Sequence, residues 1–350
     1  MKQRSRTTIY DIAHALNLSP STVSRALQHH PLINAQTRER VQQLAEEMGY
    51  VPNWIASSLR KRRSNIIGLI VPRTSVYFQS TAISGVQHIA HKHGYSVVIG
   101  QSEEDIEMEK ELAKTFFSLR VDGLLSVASM HTPNADYLSP YQKNNIPVVL
   151  YDRIPPGFEG HSITGDDFQG GFLATEHLIE NGCKNIVHIT GALTCNLYQQ
   201  RLEGYKAALQ KHQLPFYEHH VQVCHLTLES ATAVAEQVLT SRTLPDGIFT
   251  ANDTAAIAVI QTAQKLHIPI PGQIKVVGYS NDLSSRIISP SLTTIEQSGY
   301  KMGEKAAETL IRLLNNEMET ETPIKYIFDV ELIPRCSSMS DVKYNEMIVG

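Results

Sequence analysis

The stretch from Thr8 to Tyr50, TIYDIAHALNLSPSTVSRALQHHPLINAQTRERVQQLAEEMGY, predicts three short helices in succession. Thr8 suits the N-cap of the first helix, because Asp11 three positions later can complete a capping box. Ser19 suits the N-cap of the second helix. Pro20 then takes the first helical position, where an N–H has no partner inside the helix. This order of short, capped helices predicts a helix-turn-helix unit.

The third helix is predicted to begin after Asn34 and to end at Gly49, a residue type that favours the left-handed backbone of helix ends. Apolar residues recur at helical spacing and predict one shared core: Ile9, Ile12, Ala13, Leu16, Val23, Ala26, Leu27, Val41, Leu44, Ala45 and Met48. The second helix keeps small, polar or cationic side chains on its other faces, among them Ser21 and Arg25. Three small helices are also compatible with a purely structural bundle.

The charge of the chain is distributed unevenly. Residues 1–63 hold ten Lys and Arg against four Asp and Glu, a net charge of +6, whereas the remaining residues carry −10. Lysine, arginine and hydroxyl contacts to phosphates supply much of the affinity of proteins for DNA. The asymmetry therefore favours DNA binding by the N-terminal unit over a structural bundle.

A very short helix is predicted next, in the sequence NWIASSL. Asn53 can cap it, but a helix of fewer than two turns is unstable in water by itself and needs a partner to fold. Ile55, Ala56 and Leu59 share one face that is small enough for two copies to approach closely. The basic run KRR at 61–63 either faces phosphate or is an ordinary interdomain linker.

Together these motifs resemble the head and hinge of the LacI/GalR family of bacterial transcription regulators. The likeness lies in YDIA, SPSTVSRAL, TRERV, GYVPN and the leucine at position 59, and it extends to about Ser338. In that family a homodimer places one recognition helix per subunit in successive major grooves of a pseudo-palindromic double-stranded DNA operator. The paired hinge helices enter the central minor groove.

The resemblance assigns DNA contacts residue by residue. Ser21 and Arg25 would touch base edges, and arginine can make a bidentate contact with guanine. Leu59 would wedge between the two central base pairs, with Arg60 beside it in the minor groove. Contacts to the DNA backbone would come from Thr8, Tyr10, Ser24, Gln28, Asn34, Thr37 and Asn53. Pro20 departs from the family pattern, because many members have a polar or aromatic base reader at that position.

From Asn65 onward, short β-branched strands alternate with helical stretches such as Ser80–His93 and Asp253–His267. The strands are predicted at Ile66–Val71, Ser96–Gly100, Gly123–Val127, Pro147–Tyr151, Asn185–Thr190, Gly247–Thr250 and Lys275–Tyr279. This alternation is typical of parallel, doubly wound α/β sheets covered on both faces, and about 270 residues exceed one core. Two lobes of the type I periplasmic-binding-protein-like fold are predicted, with ligand bound where the carboxyl ends of the strands meet.

The changes in composition and in strand and helix pattern along the chain also set the predicted domain boundaries. The domains are a helix-turn-helix head at 1–51, a hinge and linker at 52–64, an effector-binding core at 65–338 and a tail at 339–350. The N-lobe is expected to hold about 65–165 and 298–325, and the C-lobe about 166–297 and 326–338. The tail lacks the long heptad repeat of a tetramerising helix, which favours a homodimer.

Polar and aromatic residues cluster where the predicted strands end. Carboxylate, amide and guanidinium groups hold hydroxyl-rich ligands, and aromatic faces cover the C–H side of a sugar. The resemblance places an effector pocket at the same positions: Tyr77, Phe78, Asp152, Arg153, Arg201, Asn252, Ser280 and Gln297. Each could instead be a helix cap, a turn former or part of an internal ion pair, as Asp253 and Asp282 illustrate at predicted helix starts. Ser280 also departs from the family, in which many sugar- and purine-responsive members have aspartate there.

The chain shows no enzyme signature. It lacks a Gly-x-Ser-x-Gly elbow, a Gly-x4-Gly-Lys-Ser/Thr phosphate loop and a Gly-x-Gly-x-x-Gly fingerprint. The fifteen histidines have no metal-ligand spacing. The cysteines are scattered singly, as expected for thiols in a reducing cytoplasm: Cys183, Cys195, Cys224 and Cys336. We therefore expect no catalysis, no metal and no cofactor beyond a small-molecule effector.

Neither the N-terminus nor any later stretch is apolar enough for a secretory signal or for the ~20 residues that span a membrane. A soluble, cytoplasmic protein without a membrane partner is expected, associated with the nucleoid when bound to DNA. The expected function is that of a dimeric repressor of carbohydrate uptake or catabolism genes, controlled by a sugar-like effector in the interlobe cleft. The alternative is a co-repressor or activator that responds to a non-sugar ligand such as a purine. A sugar-binding transport protein would share the core but would need a secretory signal and would lack the basic head.

Overall fold

The chain folds as two units, Met1–Ser64 and Asn65–Gly350, in a computed structural model that describes residues 7–50, 63–317 and 322–339. Each unit has its own buried apolar side chains. The short helix predicted to begin at Asn53, with Leu59 and the adjacent Arg60, lies outside the described residues.

The first unit contains three helices, α1 (Ile9–Leu16), α2 (Pro20–Leu27) and α3 (Ala35–Glu47). Ser19 Oγ accepts a hydrogen bond from the Thr22 amide at 3.1 Å, and Asn34 Oδ1 accepts one from the Thr37 amide at 2.7 Å. Six side chains are buried between the helices: Ile12, Ala13, Val23, Ala26, Val41 and Ala45. The predicted helix-turn-helix is confirmed, and it rests on the predicted caps and inner face.

The second unit alternates strands and helices along the chain. Its elements are β1 (Ile66–Val71), α4 (Tyr77–Lys92), β2 (Ser96–Gln101), α5 (Ile106–Ser118), β3 (Gly123–Ser126), α6 (Ser139–Lys143), β4 (Val148–Tyr151), β5 (His161–Gly165), α7 (Asp167–Glu180), β6 (Ile186–Thr190), α8 (Asn196–Lys211), β7 (Val221–Val223), α9 (Leu228–Leu239), β8 (Gly247–Thr250), α10 (Asp253–Lys265), β9 (Lys275–Tyr279), α11 (Leu283–Ile287), β10 (Thr293–Glu296), α12 (Gly299–Leu314), β11 (Lys325–Phe328) and β12 (Glu331–Ile333). Two 3-10 turns, Asp136–Leu138 and Glu218–His220, complete the set among the described residues.

Two sheets divide these strands into an N-lobe and a C-lobe. The N-lobe sheet has the order β11-β5-β4-β3-β1-β2, and its neighbours all run parallel. The C-lobe sheet has the order β12-β10-β9-β8-β6-β7 and is parallel except for the β10–β12 pair. Apolar clusters cover both faces of each sheet. The predicted doubly wound, two-lobed fold is confirmed.

The chain crosses between the lobes three times within the described residues. It leaves the N-lobe after β5, returns after β10 with α12, and leaves again between β11 and β12. The predicted return to the C-lobe at residue 326 is wrong, because Lys325–Phe328 pairs with β5 in the N-lobe sheet. Lys325–Ile333 looks like one continuous strand in the sequence, and its largely exposed side chains do not reveal which sheet it joins.

Glycines bring one pair of helices into close contact in each lobe. A Cβ added at Gly171 in α7 would clash with the carbonyl oxygen of Arg201 in α8. In the N-lobe, a Cβ at Gly303 in α12 would clash with the carbonyl oxygen of Ala82 in α4. Backbones that approach this closely fix the distance between the paired helices, and in the C-lobe they fix the position of Arg201.

Candidate DNA-reading helix and effector cleft

Helix α2 exposes the two side chains that the sequence assigns to base contacts. Ser21 and Arg25 are both exposed, while Val23 and Ala26 face the core. The Ser21 hydroxyl lies 2.8 Å from the Ser19 hydroxyl, which also contacts Thr22 Oγ1 at 2.8 Å. The cap of the helix therefore orients the Ser21 hydroxyl.

The residues assigned to the DNA backbone differ in what they can offer a phosphate. Tyr10 is 69 % exposed, and Thr8, Gln28 and Asn34 are exposed as well. Thr8 donates both its N–H and its hydroxyl to Asp11 Oδ2, each at 2.7 Å. Because phosphate oxygens only accept hydrogen bonds, Thr8 in this geometry serves the helix cap rather than DNA. The other two, Ser24 and Thr37, are half-buried, and Asn53 is outside the described residues.

In the second unit, a cleft lies where the carboxyl ends of strands from both lobes meet. Its free volume is about 80 Å³. The lining residues come from the loops and first helical turns after the strands: Pro72, Arg73, Val76, Phe78, Gln79, Glu104, Met130, Asp152, Arg153, Leu197, Tyr198, Arg201, His225, Leu226, Ala251, Asn252, Ser280 and Gln297. Seven of the eight predicted effector residues are in this lining.

Tyr77 is the predicted residue that the structure leaves out of the cleft. It is 41 % exposed, whereas the adjacent Phe78 is 4 % exposed and lines the cleft. The sequence places both residues in a loop, but α4 begins at Tyr77. Neighbouring helical residues point about 100° apart, so only one of the two can face the cleft.

Arg201 organises the C-lobe wall of the cleft. Its guanidinium donates from Nε to Asp167 Oδ1 at 2.9 Å, from Nη1 to the Ala251 carbonyl at 2.6 Å and from Nη2 to Gln297 Oε1 at 3.3 Å. The same group lies 3.4 Å from the centroid of the Tyr279 ring. Most of its donors are therefore used inside the protein, including a second contact of Nη2 with Asp167 Oδ1 at 2.8 Å.

Asn252, Ser280 and Gln297 are also tied into the C-lobe. Asn252 Oδ1 caps α10 at the Ala255 amide, 2.9 Å away, and Asn252 Nδ2 donates to the Leu226 carbonyl at 3.0 Å. Gln297 Nε2 donates to Ser280 Oγ at 2.9 Å. These side chains form part of the cleft wall. Both polar atoms of the Asn252 side chain already make hydrogen bonds within the protein, one to helix α10 and one to the loop that carries Leu226.

Asp152 is the buried carboxylate of the N-lobe wall. It is 7 % exposed, follows β4 and has a left-handed backbone, with φ at +62°. Gln79 Nε2 donates to Asp152 Oδ2 at 3.1 Å. Burial raises the pKa of Asp152 to about 6, although the neighbouring arginines oppose the shift. The cleft thus holds one carboxyl group that titrates close to neutral pH.

Arg153 connects the two lobes. Its Nη1 donates to Glu104 Oε1 and Oε2 at 2.8 and 2.9 Å, and its Nη2 donates to the C-lobe hydroxyl of Tyr198 at 3.2 Å. Burial is the largest single influence on Glu104 and by itself would raise its pKa, but the charge and hydrogen bonds of Arg153, the Met130 amide and the Arg73 charge together lower the pKa below its usual value. Burial raises the pKa of Tyr198 to about 12. Beside this contact, the Ile154 amide donates to Asn196 Oδ1 at 3.0 Å, a second bond between the lobes.

The sequence did not indicate several lining residues, notably Arg73, Gln79, Glu104, Tyr198 and His225. Tyr198 lies one turn before Arg201 in α8, so helical spacing could have identified it. Arg73 and Glu104 lie two and four residues after predicted strands, close to the kind of position that identified Asp152. Gln79 gives no such signal, because it lies eight residues after the predicted strand and directly before the helix predicted at Ser80–His93, where a polar residue is ordinary.

Asp253 serves the structure rather than the cleft. It is fully buried, accepts the Thr294 hydroxyl at 2.6 Å and the Asp282 amide at 2.7 Å, and is absent from the lining. Burial raises its pKa to about 7.

Within the described ranges, no group of three His, Cys, Asp or Glu side chains is arranged to hold a metal ion. Nor is any helix of these ranges long and apolar enough to cross a membrane.

A helix-turn-helix head followed by a two-lobed core with a polar cleft defines a class of protein, the ligand-responsive DNA-binding transcription regulators. Residues 8–53 match the family model "Bacterial regulatory proteins, lacI family", and residues 175–338 match the model of the periplasmic binding protein-like domain. The chain is 30 % identical over 330 residues to the HTH-type transcriptional repressor PurR of Actinobacillus pleuropneumoniae serotype 3, covering 94 % of this chain and 98 % of that protein. The chain therefore belongs to the lacI family of bacterial transcription regulators.

Further relatives and solved structures agree with this assignment. The ribose operon repressor of Haemophilus influenzae is 30 % identical over 312 residues, 89 % of this chain and 93 % of that protein. The lac repressor dimer bound to operator and the anti-inducer ONPF shares the fold at a TM-score of 0.84 and 24 % identity, covering 96 % of this chain and 100 % of that one. The complex of the transcriptional regulator CelR with cellobiose has a TM-score of 0.71 at 25 % identity, covering 95 % and 100 %. These relatives are DNA-binding regulators rather than enzymes.

Proposed function

We propose that the chain is a homodimeric repressor of carbohydrate uptake or catabolism genes, released from a pseudo-palindromic operator by a small sugar that binds the interlobe cleft. The observation that supports this most is the set of polar groups at the carboxyl ends of strands from both lobes, with Asp152 and Gln79 on one wall and Arg201 on the other. A ligand that contacts both walls favours one spacing of the lobes, and this is how binding would bias the DNA-binding state.

The composition of the cleft supports a sugar as the effector. Carboxylate, amide and guanidinium groups converge there with the faces of Phe78 and Tyr198. Sugars present hydroxyl edges and C–H faces, which match such a lining. The ribose operon repressor among the relatives supports the same class of ligand.

An edge strand of the N-lobe supports the dimer. β2 ends the N-lobe sheet and exposes the apolar side chains of Val98 and Ile99, which are 36 % and 37 % exposed. An uncovered edge of this kind is prone to unspecific pairing unless another surface covers it. In the proposed dimer, a second copy of the chain covers this edge.

The proposal includes no catalytic step, no metal and no coenzyme; the effector is its one small-molecule component. A regulator that binds chromosomal operators acts in the bacterial cytoplasm, at the nucleoid.

The purine alternative is supported by the PurR relatives, and it therefore belongs in the same ligand screen.

The test is a thermal-shift screen of the whole chain against D-ribose, D-glucose, D-galactose, D-gluconate and hypoxanthine. A ligand that binds the folded state raises the melting temperature in a concentration-dependent way. The hit is then added to a binding assay with an operator selected from genomic DNA fragments, and we expect it to lower operator affinity. An operator affinity that no stabilising ligand changes would contradict the proposal, whereas tighter DNA binding with hypoxanthine would establish the co-repressor alternative.

The choice of cleft variant matters for this screen. Arg201→Ala leaves Asp167 buried without its cation, a change that typically costs about 3–5 kcal/mol of stability. That variant would therefore melt early with or without a ligand. Asp152→Asn keeps the shape of the side chain, removes its charge and replaces one acceptor oxygen by an NH₂ donor, so a loss of the ligand-induced shift in this variant reports on the cleft.

A further inference from the structure

Gln79 is a buried residue of the cleft that family resemblance does not assign. It is the third residue of α4, is 4 % exposed and lines the cleft. Its amide nitrogen donates to Asp152 Oδ2 at 3.1 Å, while its buried Oε1 has no hydrogen-bond partner among the described residues. A buried amide oxygen without a partner is unfavourable, so a polar ligand group is the expected partner.

The orientation of this amide is fixed by its neighbour. An ionised carboxylate accepts hydrogen bonds and cannot donate them, so Asp152 requires the nitrogen of Gln79 to face it. The oxygen of Gln79 then has to point the other way. Asp152 therefore makes Gln79 an acceptor toward the ligand.

A buried donor in the same cleft has no partner either. Arg153 uses Nη1 for Glu104 and Nη2 for Tyr198, but its Nε has no acceptor in the described part of the chain. Two residues that line the cleft thus have one unused acceptor and one unused donor between them. A ligand with several hydroxyl groups can satisfy both, because each hydroxyl both donates and accepts.

Charged ligand groups fit this pair less well. A carboxylate or phosphate can accept from Arg153 Nε, but it has nothing to donate to Gln79 Oε1. An ammonium group can donate to Gln79 Oε1, but it has no lone pair with which to accept from Arg153 Nε. The balance of unused groups therefore favours a neutral ligand.

We propose that Gln79 is a specificity-determining residue that accepts a hydrogen bond from a sugar hydroxyl, and that the cleft selects neutral sugars over sugar acids and amino sugars. This inference rests on the proposed sugar effector. It adds to that proposal the charge class of the ligand and the side chain that reads one of its hydroxyls.

The test compares Gln79→Met, which has a similar length but no amide, with Gln87→Met, the same change at an exposed position of the same helix. Gln79→Asn is the second variant. It keeps an amide group, but its side chain is shorter by one methylene group, so the amide no longer reaches the position of the Gln79 amide. Each folded variant is titrated by calorimetry with D-ribose, D-glucose, D-galactose, D-gluconate and D-glucosamine. We expect a neutral sugar to bind the wild type most tightly, and both Gln79 variants to bind it about tenfold more weakly, which corresponds to one lost hydrogen bond. Gln87→Met should bind like the wild type.

Monodeoxy derivatives of the sugar that binds identify the hydroxyl. One derivative should bind the wild type about tenfold more weakly than the parent sugar and lose nothing further in Gln79→Met. If the parent sugar binds both Gln79 variants as tightly as the wild type, the role of Gln79 is overturned and the sugar effector stands. If D-gluconate or D-glucosamine binds best, the neutral class is overturned. If none of the five compounds binds the wild type, this inference and the sugar effector both fail.

Discussion

At the residue scale, Asp152 combines three properties that the sequence does not show together. It is buried, it has a left-handed backbone, and it holds the Gln79 amide. Aspartate is among the few residues that adopt this backbone conformation readily, so the position suits it sterically as well as chemically. Its place after a predicted strand identifies it as a candidate. Its burial and its partner depend on how α4 packs, which no local pattern encodes.

The raised pKa of Asp152 predicts a pH-dependent difference between the wild type and Asp152→Asn. The folded state keeps the Asp152 proton up to about pH 6, whereas the unfolded state releases it near 3.8. The unfolding free energy of the wild type therefore falls as the pH rises through this window, by on the order of 3 kcal/mol for a shift of this size. Asparagine does not titrate, so the variant should gain stability relative to the wild type between pH 4 and pH 7, as measured by urea unfolding at each pH.

Other buried carboxyls, such as Asp253, titrate in both proteins and cancel in this difference. A stability difference between the two proteins that stays constant from pH 4 to pH 7 would contradict the raised pKa of Asp152.

Arg25 is predicted to carry sequence discrimination on DNA. Arg25→Ala should weaken binding to an operator selected by the wild type by about 1–3 kcal/mol while changing affinity for a scrambled duplex much less. Arg40→Ala, an equal loss of charge at an exposed position of α3, is the matched control. Filter binding at fixed salt gives both affinities. An unchanged ratio between operator and scrambled duplex in Arg25→Ala would show that another residue reads the bases.

At the scale of elements, the sequence predicted the helices of the head almost to the residue, because each carries its own cap and apolar face. The strands of the core were predicted less completely. His161–Gly165 and Val221–Val223 were missed. Neither has the continuous β-branched run of the predicted strands, and each pairs with a neighbouring strand of its sheet.

The contact between α7 and α8 predicts the effect of a single methyl group. Gly171→Ala forces a Cβ against the carbonyl oxygen of Arg201, so the two helices have to move apart, which disturbs the bond between Arg201 in α8 and Asp167 in α7. We expect a loss of about 1–3 kcal/mol in stability and a weaker thermal shift with the effector. Gly272→Ala is the control, because a Cβ there meets only Pro269 at 3.4 Å. Equal melting temperatures and equal ligand shifts for the two variants would show that α7 and α8 tolerate a wider spacing.

At the scale of the whole molecule, the distribution of charge along the sequence is enough to separate the two units. The net charge of +6 on residues 1–63 and of −10 on the remainder coincides with the division at Ser64. The two-lobed class of the core was likewise predictable from strand and helix alternation. The residue at which the chain returns to the C-lobe was not, because the pairing partner of an edge strand depends on the whole sheet.

The division into units predicts separable functions. Residues 65–350 alone should retain the thermal shift with the effector and lose site-specific retention of genomic DNA fragments. The intact chain should retain both, with operator affinity that falls steeply as salt rises, since its head contributes the phosphate contacts. Site-specific DNA retention by the shorter chain would contradict the role assigned to the head.

The three crossings between the lobes have a consequence for biosynthesis. The N-lobe sheet is completed by β11, which follows β5 by about 160 residues, and its helix layer is completed by α12. At the usual rate of translation, the ribosome needs roughly 8–30 s to make that interval. During this time the nascent N-lobe lacks an edge strand and a covering helix, while most of the C-lobe emerges behind it. The lobe that is begun first is thus finished almost last, and until α12 and β11 emerge the apolar face that they complete stays exposed on the nascent chain.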